Sequence, residues 1–232
     1  MSYSHLKDQV FQANLELERR GLVIYTFGNV SQIDRNLGVI AIKPSGVDYA
    51  KMKSEDMVIV DLDNHIIEGT YRPSSDTKTH THLYKNFQSI GGITHTHSTY
   101  ATAWAQAQQH IPCYGTTHAD YVNGEIPCTA VMSDEQIQLD YEEQTGVQIT
   151  TTLQGKNPME IPMILVAGHA PFTWGINASE SVVYSVILEE LAKMAYLTRQ
   201  LNPISAQKCL KQSLLDKHFQ RKHGPKAYYG QK

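Results

Sequence analysis

Ile90-Gly-Gly-Ile-Thr-His-Thr-His97 runs straight into Ser98-Thr-Tyr-Ala-Thr-Ala-Trp-Ala-Gln-Ala-Gln108. The first half reads as a β-strand and the second, rich in alanine, as a helix. Elements of both kinds extend outward from this unit. Upstream, Val23–Thr26, Val39–Ile42 and Met57–Val60 are short β-rich runs, and Asp63-Asn64 turns the last of them into His65–Ile67. Thr77–Asn86 is compatible with a helix, and Leu6, Val10, Ala13 and Leu17 stand at helical spacing before a stop at Gly21. Downstream, residues 109–160 carry scattered glycine, proline and polar positions and yield no assignment. Ile164–Ala167 reads as a further strand, and Ala178–Leu201 as a helix with Val183, Ile187, Leu191 and Met194 on one face. No repeat or linker interrupts residues 1–232. The expected class is α/β, a mixed sheet covered by helices in a single domain.

Composition narrows the possible functions. Twenty basic residues stand against 23 acidic ones, a formal net charge of −3, and no long basic stripe suggests a nucleic-acid surface. No apolar run approaches the about 20 residues of a membrane span. Cys113, Cys128 and Cys209 form no C-x-x-C pair, which fits a reducing cytoplasm better than a disulfide framework. The polar N-terminus has no apolar segment behind it, so a cytoplasmic location is expected.

Histidines supply the first chemistry. In a strand, alternate residues share a face, so His95 and His97 can reach one ion. His169, just past the Ile164–Ala167 strand, is a third candidate. Three neutral imidazoles with an open position describe a catalytic zinc. The sequence contains its own control: His80 and His82 repeat the spelling inside an expected helix, where positions i and i+2 diverge around the axis. The histidines outside these two pairs, apart from His169, read as surface residues.

Small polar loops supply the second. Lys43-Pro-Ser-Gly46 follows a strand and gathers an ammonium, a hydroxyl and flexible backbone. Pro73-Ser-Ser-Asp76 offers two hydroxyls and caps the following helix, whose N–H groups favour an anion. Gly28-Asn29-Val-Ser31 is a third loop of the same kind, and together they suggest a phosphate pocket.

In this order, Thr26-Phe-Gly-Asn-Val-Ser31, Lys43-Pro-Ser-Gly-Val-Asp48, Pro73-Ser-Ser-Asp76, Gly91-Gly-Ile-Thr-His-Thr-His97 and Gly168-His-Ala-Pro-Phe172 resemble the class II aldolase/epimerase family. Gly115-Thr-Thr-His-Ala-Asp-Tyr121 and the ending Lys226-Ala-Tyr-Tyr-Gly230 look like its epimerase branch. The resemblance covers nearly the whole chain. It implies a three-layer α/β/α sandwich around a largely antiparallel sheet, assembled as a homotetramer with active sites between neighbouring subunits. It carries zinc, or another divalent metal, onto His95, His97 and His169, with Asp76 as a further ligand or a wall of the site. Substrate contacts fall on Asn29, Lys43, Ser45, Gly46, Ser74 and Ser75. Proton transfer falls on Asp120 and Tyr229 of the adjacent subunit, although Tyr228 offers the same phenol. Thr116, Glu142 and His218 are additional pocket candidates. Ala170 departs from the pattern, which has His-Gly immediately before Pro-Phe; the departure touches local backbone geometry and leaves the ligand in place.

The implied substrate is a pentulose phosphate, inverted at C4 by cleaving and remaking C3–C4 with metal assistance. Asp76 separates the branches, because the related aldolases carry glutamate there. Two rival readings stand beside this one. An aldolase would release its aldehyde, and a non-catalytic zinc or sugar-phosphate binder would need neither Asp120 nor Tyr229.

Overall fold

The computed structural model describes residues 3–201 and 208–230. Seven strands form one sheet in the order β4-β3-β2-β1-β5-β7-β6, and every neighbouring pair is antiparallel. They are β1 (Asn29–Asp34), β2 (Val39–Ile42), β3 (Val58–Asp61), β4 (Ile66–Glu68), β5 (Gly92–His95), β6 (Met163–Leu165) and β7 (Pro171–Gly175). Helices α1 (Ser4–Arg19) and α7 (Ala178–Leu201) cover one face, while α2 (Thr77–Asn86) and α6 (Tyr141–Thr152) lie over the other. The remaining α-helices are α3 (Thr99–Gln106), α4 (Thr116–Ala119), α5 (Asp134–Gln138) and α8 (Gln212–His223). No helix among the described residues is long and apolar enough to cross a membrane.

Helix α1 forms where its periodicity indicates: Leu6, Val10, Ala13 and Leu17 are buried, and Gly21 ends the run at φ +67°. All four residues of β2 are buried, as a central strand requires. At the β3–β4 turn, Asp61 Oδ1 accepts the N–H groups of Asp63 and His65, and Asn64 takes φ +70°.

Three expectations are corrected. Val23–Thr26 is not a strand: Tyr25 turns into left-handed backbone at φ +55°, and the chain enters the sheet only at Asn29. The segment read as a polar loop from Gly28 to Ser31 is therefore mostly central strand. The buried face of α7 is rotated from the one expected. Val183 and Met194 are exposed, while Ser181, Ser185, Leu188 and Ala192 face inward with Leu191. The cause is a set of hydroxyl pairs that satisfies the buried serines: Thr94 with Ser181 and Thr173 with Ser185, each at 2.7 Å.

Candidate metal centre and phosphate cavity

Strands β5 and β7 place the first ligand candidate. His95 pairs across the ladder with Phe172 and stacks on its ring, with centroids 4.2 Å apart. Its Nδ1–H donates to the Pro171 carbonyl at 2.9 Å, so Nε2 carries the lone pair. His97 lies two residues beyond the strand end, in chain still extended enough to bring its Nε2 within 3.2 Å of His95 Nε2. His169 sits on the β6–β7 hairpin, where Val166 N–H bonds to the Ala170 carbonyl and Gly168 takes φ +71°. The left-handed position thus falls on Gly168, so Ala170 imposes no strain and is simply buried.

One ligand atom from each of the three imidazoles lies within 4.8 Å of the others. Burial, and then the neighbouring His95, lowers His169 to about 3 and also holds His97 below the usual imidazole range. Both are therefore neutral at physiological pH, the form that ligates a metal. Three convergent imidazole nitrogens fit a divalent ion with an open coordination position. The control pair behaves as expected. On α2, His80 turns inward to Ser31 and His82 turns to Thr150 of α6.

Asp76 stands at the N-terminus of α2, and its Oδ2 accepts from Asn29 Nδ2 at 2.6 Å. Burial raises its pKa, but His95, His80, Asn29 and His169 together outweigh burial and hold it below the ordinary carboxylate range. A cavity of about 410 Å³ joins Asp76 and the three histidines to Asn29, Lys43, Ser45, Gly46, Ser74, Ser75 and Glu142. The Lys43–Gly46 and Pro73–Asp76 loops are tied to each other: Ser45 N–H bonds to the Arg72 carbonyl and Ser74 N–H to that of Lys43. Lys43 is 1% exposed, and its Nζ lies 3.2 Å from the Thr26 carbonyl and 4.8 Å from the Tyr49 ring centroid. Burial lowers it to about 8.

Asp120, Thr116, His218 and Tyr229 do not line this cavity. Asp120, at the end of α4, accepts a two-pronged contact from Arg221 at 3.0 and 2.7 Å and another from His218 at 2.9 Å. Burial raises its pKa, but Arg221, His218 and Lys222 overcome that and keep it ionised. The Tyr229 ring lies 4.4 Å from Lys222 Nζ and 5.0 Å from the Arg221 guanidinium. One chain thus holds two separate clusters.

Sequence reading missed several members. Tyr141 reaches to 3.4 Å from His169 Nδ1, and Arg221, Lys222 and His223 gather around Asp120. No motif marks these contacts, which join residues 28 to 103 positions apart. The reading of the remaining histidines as surface residues fails at His118, which is buried with Nε2 unpartnered among the described residues.

A seven-stranded antiparallel sheet with helices on both faces and a three-histidine centre define the class. Residues 8–196 match the family described as the Class II Aldolase and Adducin N-terminal domain, and the chain belongs to that family. Curated relatives narrow the comparison. The proteins named L-ribulose-5-phosphate 4-epimerase UlaF from Salmonella paratyphi C (strain RKS4594) and Salmonella choleraesuis (strain SC-B67) are each 55% identical over 227 residues, covering 98% of this chain and 99% of theirs. Among solved structures, an L-fuculose 1-phosphate aldolase superposes with a TM-score of 0.80 at 23% identity, covering 95% of this chain and 97% of its own. The l-fuculose-1-phosphate aldolase from Thermus thermophilus gives 0.65 at 22% identity, covering 88% of this chain and 98% of its own.

Proposed function

We propose that this chain interconverts L-ribulose 5-phosphate and D-xylulose 5-phosphate as a zinc-dependent 4-epimerase, working as a homotetramer in the cytoplasm. The observation that carries the reading is 55% identity over 98% of the chain to proteins named for that reaction. The histidines and both anion loops sharing one cavity support it.

The C4 hydrogen of a 2-ketopentose is not adjacent to the carbonyl, so direct deprotonation does not readily invert that carbon. Cleaving C3–C4 does. The C4 hydroxyl loses its proton as the bond electrons move to C3, giving glycolaldehyde phosphate and the enediolate of dihydroxyacetone. His95, His97 and His169, with Asp76 beside them, would hold a divalent ion, which would supply Lewis-acid stabilisation to the enediolate. Lys43 and the Ser45–Gly46 and Ser74–Ser75 loops hold the phosphate, so the aldehyde turns without escaping. The C3–C4 bond then re-forms on the opposite aldehyde face and the C4 oxygen regains a proton. Asp120 and Tyr229 of the neighbouring subunit exchange these protons, one on each face. Thr116 and His218 accompany Asp120, and Glu142 closes the cavity beside Tyr141.

A coupled assay of L-ribulose 5-phosphate conversion to D-xylulose 5-phosphate tests the reading. Conversion abolished by a chelator and restored by zinc is expected. No conversion by folded, zinc-loaded protein, with cleavage of L-fuculose 1-phosphate instead, overturns it in favour of an aldolase.

A further inference from the structure

Behind the cavity, α2 and β1 are joined by a buried polar ladder of which the chemistry above uses only Asp76. Asn29 Nδ2 bonds to Asp76 Oδ2 at 2.6 Å. Two residues further along the strand, Ser31 Oγ lies 2.7 Å from His80 Nδ1 and 2.8 Å from Tyr84 OH. Asp76, His80 and Tyr84 are successive i, i+4 positions on one helical face, whereas Asn29 and Ser31 are alternate residues on one strand face. The two spacings are commensurate: four helical residues advance about 6 Å and two strand residues about 6.6 Å. Tyr84 reaches back to the His80 level because long helical side chains lean toward the helix N-terminus. Ser31, His80 and Tyr84 are each 0% exposed.

Packing alone does not explain the ladder. His80 Nε2 is buried without a hydrogen-bond partner among the described residues. An apolar side chain of similar size would fill that space with no such unpartnered atom. What His80 and Ser31 add is direction, since they fix the register of α2 on β1 one turn below Asp76.

We propose that His80 and Ser31 are positioning residues that act through Asp76, holding its carboxylate toward the three-histidine centre. The inference rests on the metal reading above.

The test is zinc affinity of the apo full-length chain, measured by competition with a chromophoric chelator. Ser31→Ala and His80→Leu are each expected to weaken zinc binding by about tenfold, the scale of losing an outer-shell partner. His80→Asn, which keeps a polar atom near the Nδ1 position, is expected to recover part of that loss. In an Asp76→Asn background, His80→Leu is expected to change affinity by less than about twofold, because the two changes share one path. Equal losses in both backgrounds, or no loss in a folded variant, overturn the proposal. If His80→Leu does not fold, Ser31→Ala in the two backgrounds decides by the same criterion. Absence of zinc binding by the unaltered chain would instead overturn the metal reading itself.

Discussion

His95 Nδ1–H donates to the Pro171 carbonyl at 2.9 Å, so the tautomer of one ligand candidate is set by the hairpin that carries another. His169 lies two residues before Pro171, and the β5–β7 ladder keeps both within reach of one ion. Removing either should therefore remove the metal. His169→Ala is expected to lower zinc affinity by more than about 100-fold, beyond the effect of an outer-shell loss, and to abolish epimerisation. Metal content of the purified variant checks this.

The proposed role of Lys43 in holding the phosphate predicts an alkaline limit. Burial lowers its ammonium to about 8, so its charge is present below that pH and lost above it. In the free enzyme, kcat/KM is expected to fall as pH rises through about 8. Lys43→Met should remove that limb and raise KM by about tenfold or more, the weight of one charged hydrogen bond. A pH profile of both proteins provides the comparison.

The separation of the Asp120 cluster from the histidine centre, taken with the proposed inter-subunit site, predicts complementation. Asp120→Asn and His97→Asn should each lower activity by about 100-fold or more. Mixed and allowed to exchange subunits, the two inactive proteins should regain activity, because some sites then combine an intact centre with an intact Asp120. A mixture that stays inactive after verified exchange would place both groups in one chain's site.

Gly92 lets α7 begin against the sheet. A Cβ there would lie 2.2 Å from the Asn177 carbonyl carbon and 2.3 Å from the Ala178 nitrogen, both backbone atoms. Gly92→Ala is expected to destabilise the fold by about 3 kcal/mol, at the upper end for overpacking. Urea denaturation reads the effect.

The sequence makes some of this structure legible and hides the rest for identifiable reasons. Helix α1 and strands β2 and β3 show through because burial alone dictates their apolar pattern. Strand β1 hides because Asn29 and Ser31 are polar residues whose partners, Asp76 and His80, lie nearly 50 residues away. The buried face of α7 hides for the same reason, its serines being matched by threonines on β5 and β7. Of the candidate site, the histidines and the Lys43–Gly46 and Pro73–Asp76 loops that share its cavity are readable because strand spacing and turn chemistry are local rules. The Arg221–Asp120 pair, 101 residues apart, obeys no local rule.

The measurement closest to the central claim is epimerisation in D₂O, with the C4 position of the product examined by NMR. Cleavage and re-formation of C3–C4 leave the C4 hydrogen on carbon throughout, since an aldehyde hydrogen does not exchange with solvent. The account predicts D-xylulose 5-phosphate carrying its original C4 hydrogen. Deuterium at C4 would show that this hydrogen leaves as a proton, and would contradict carbon–carbon cleavage.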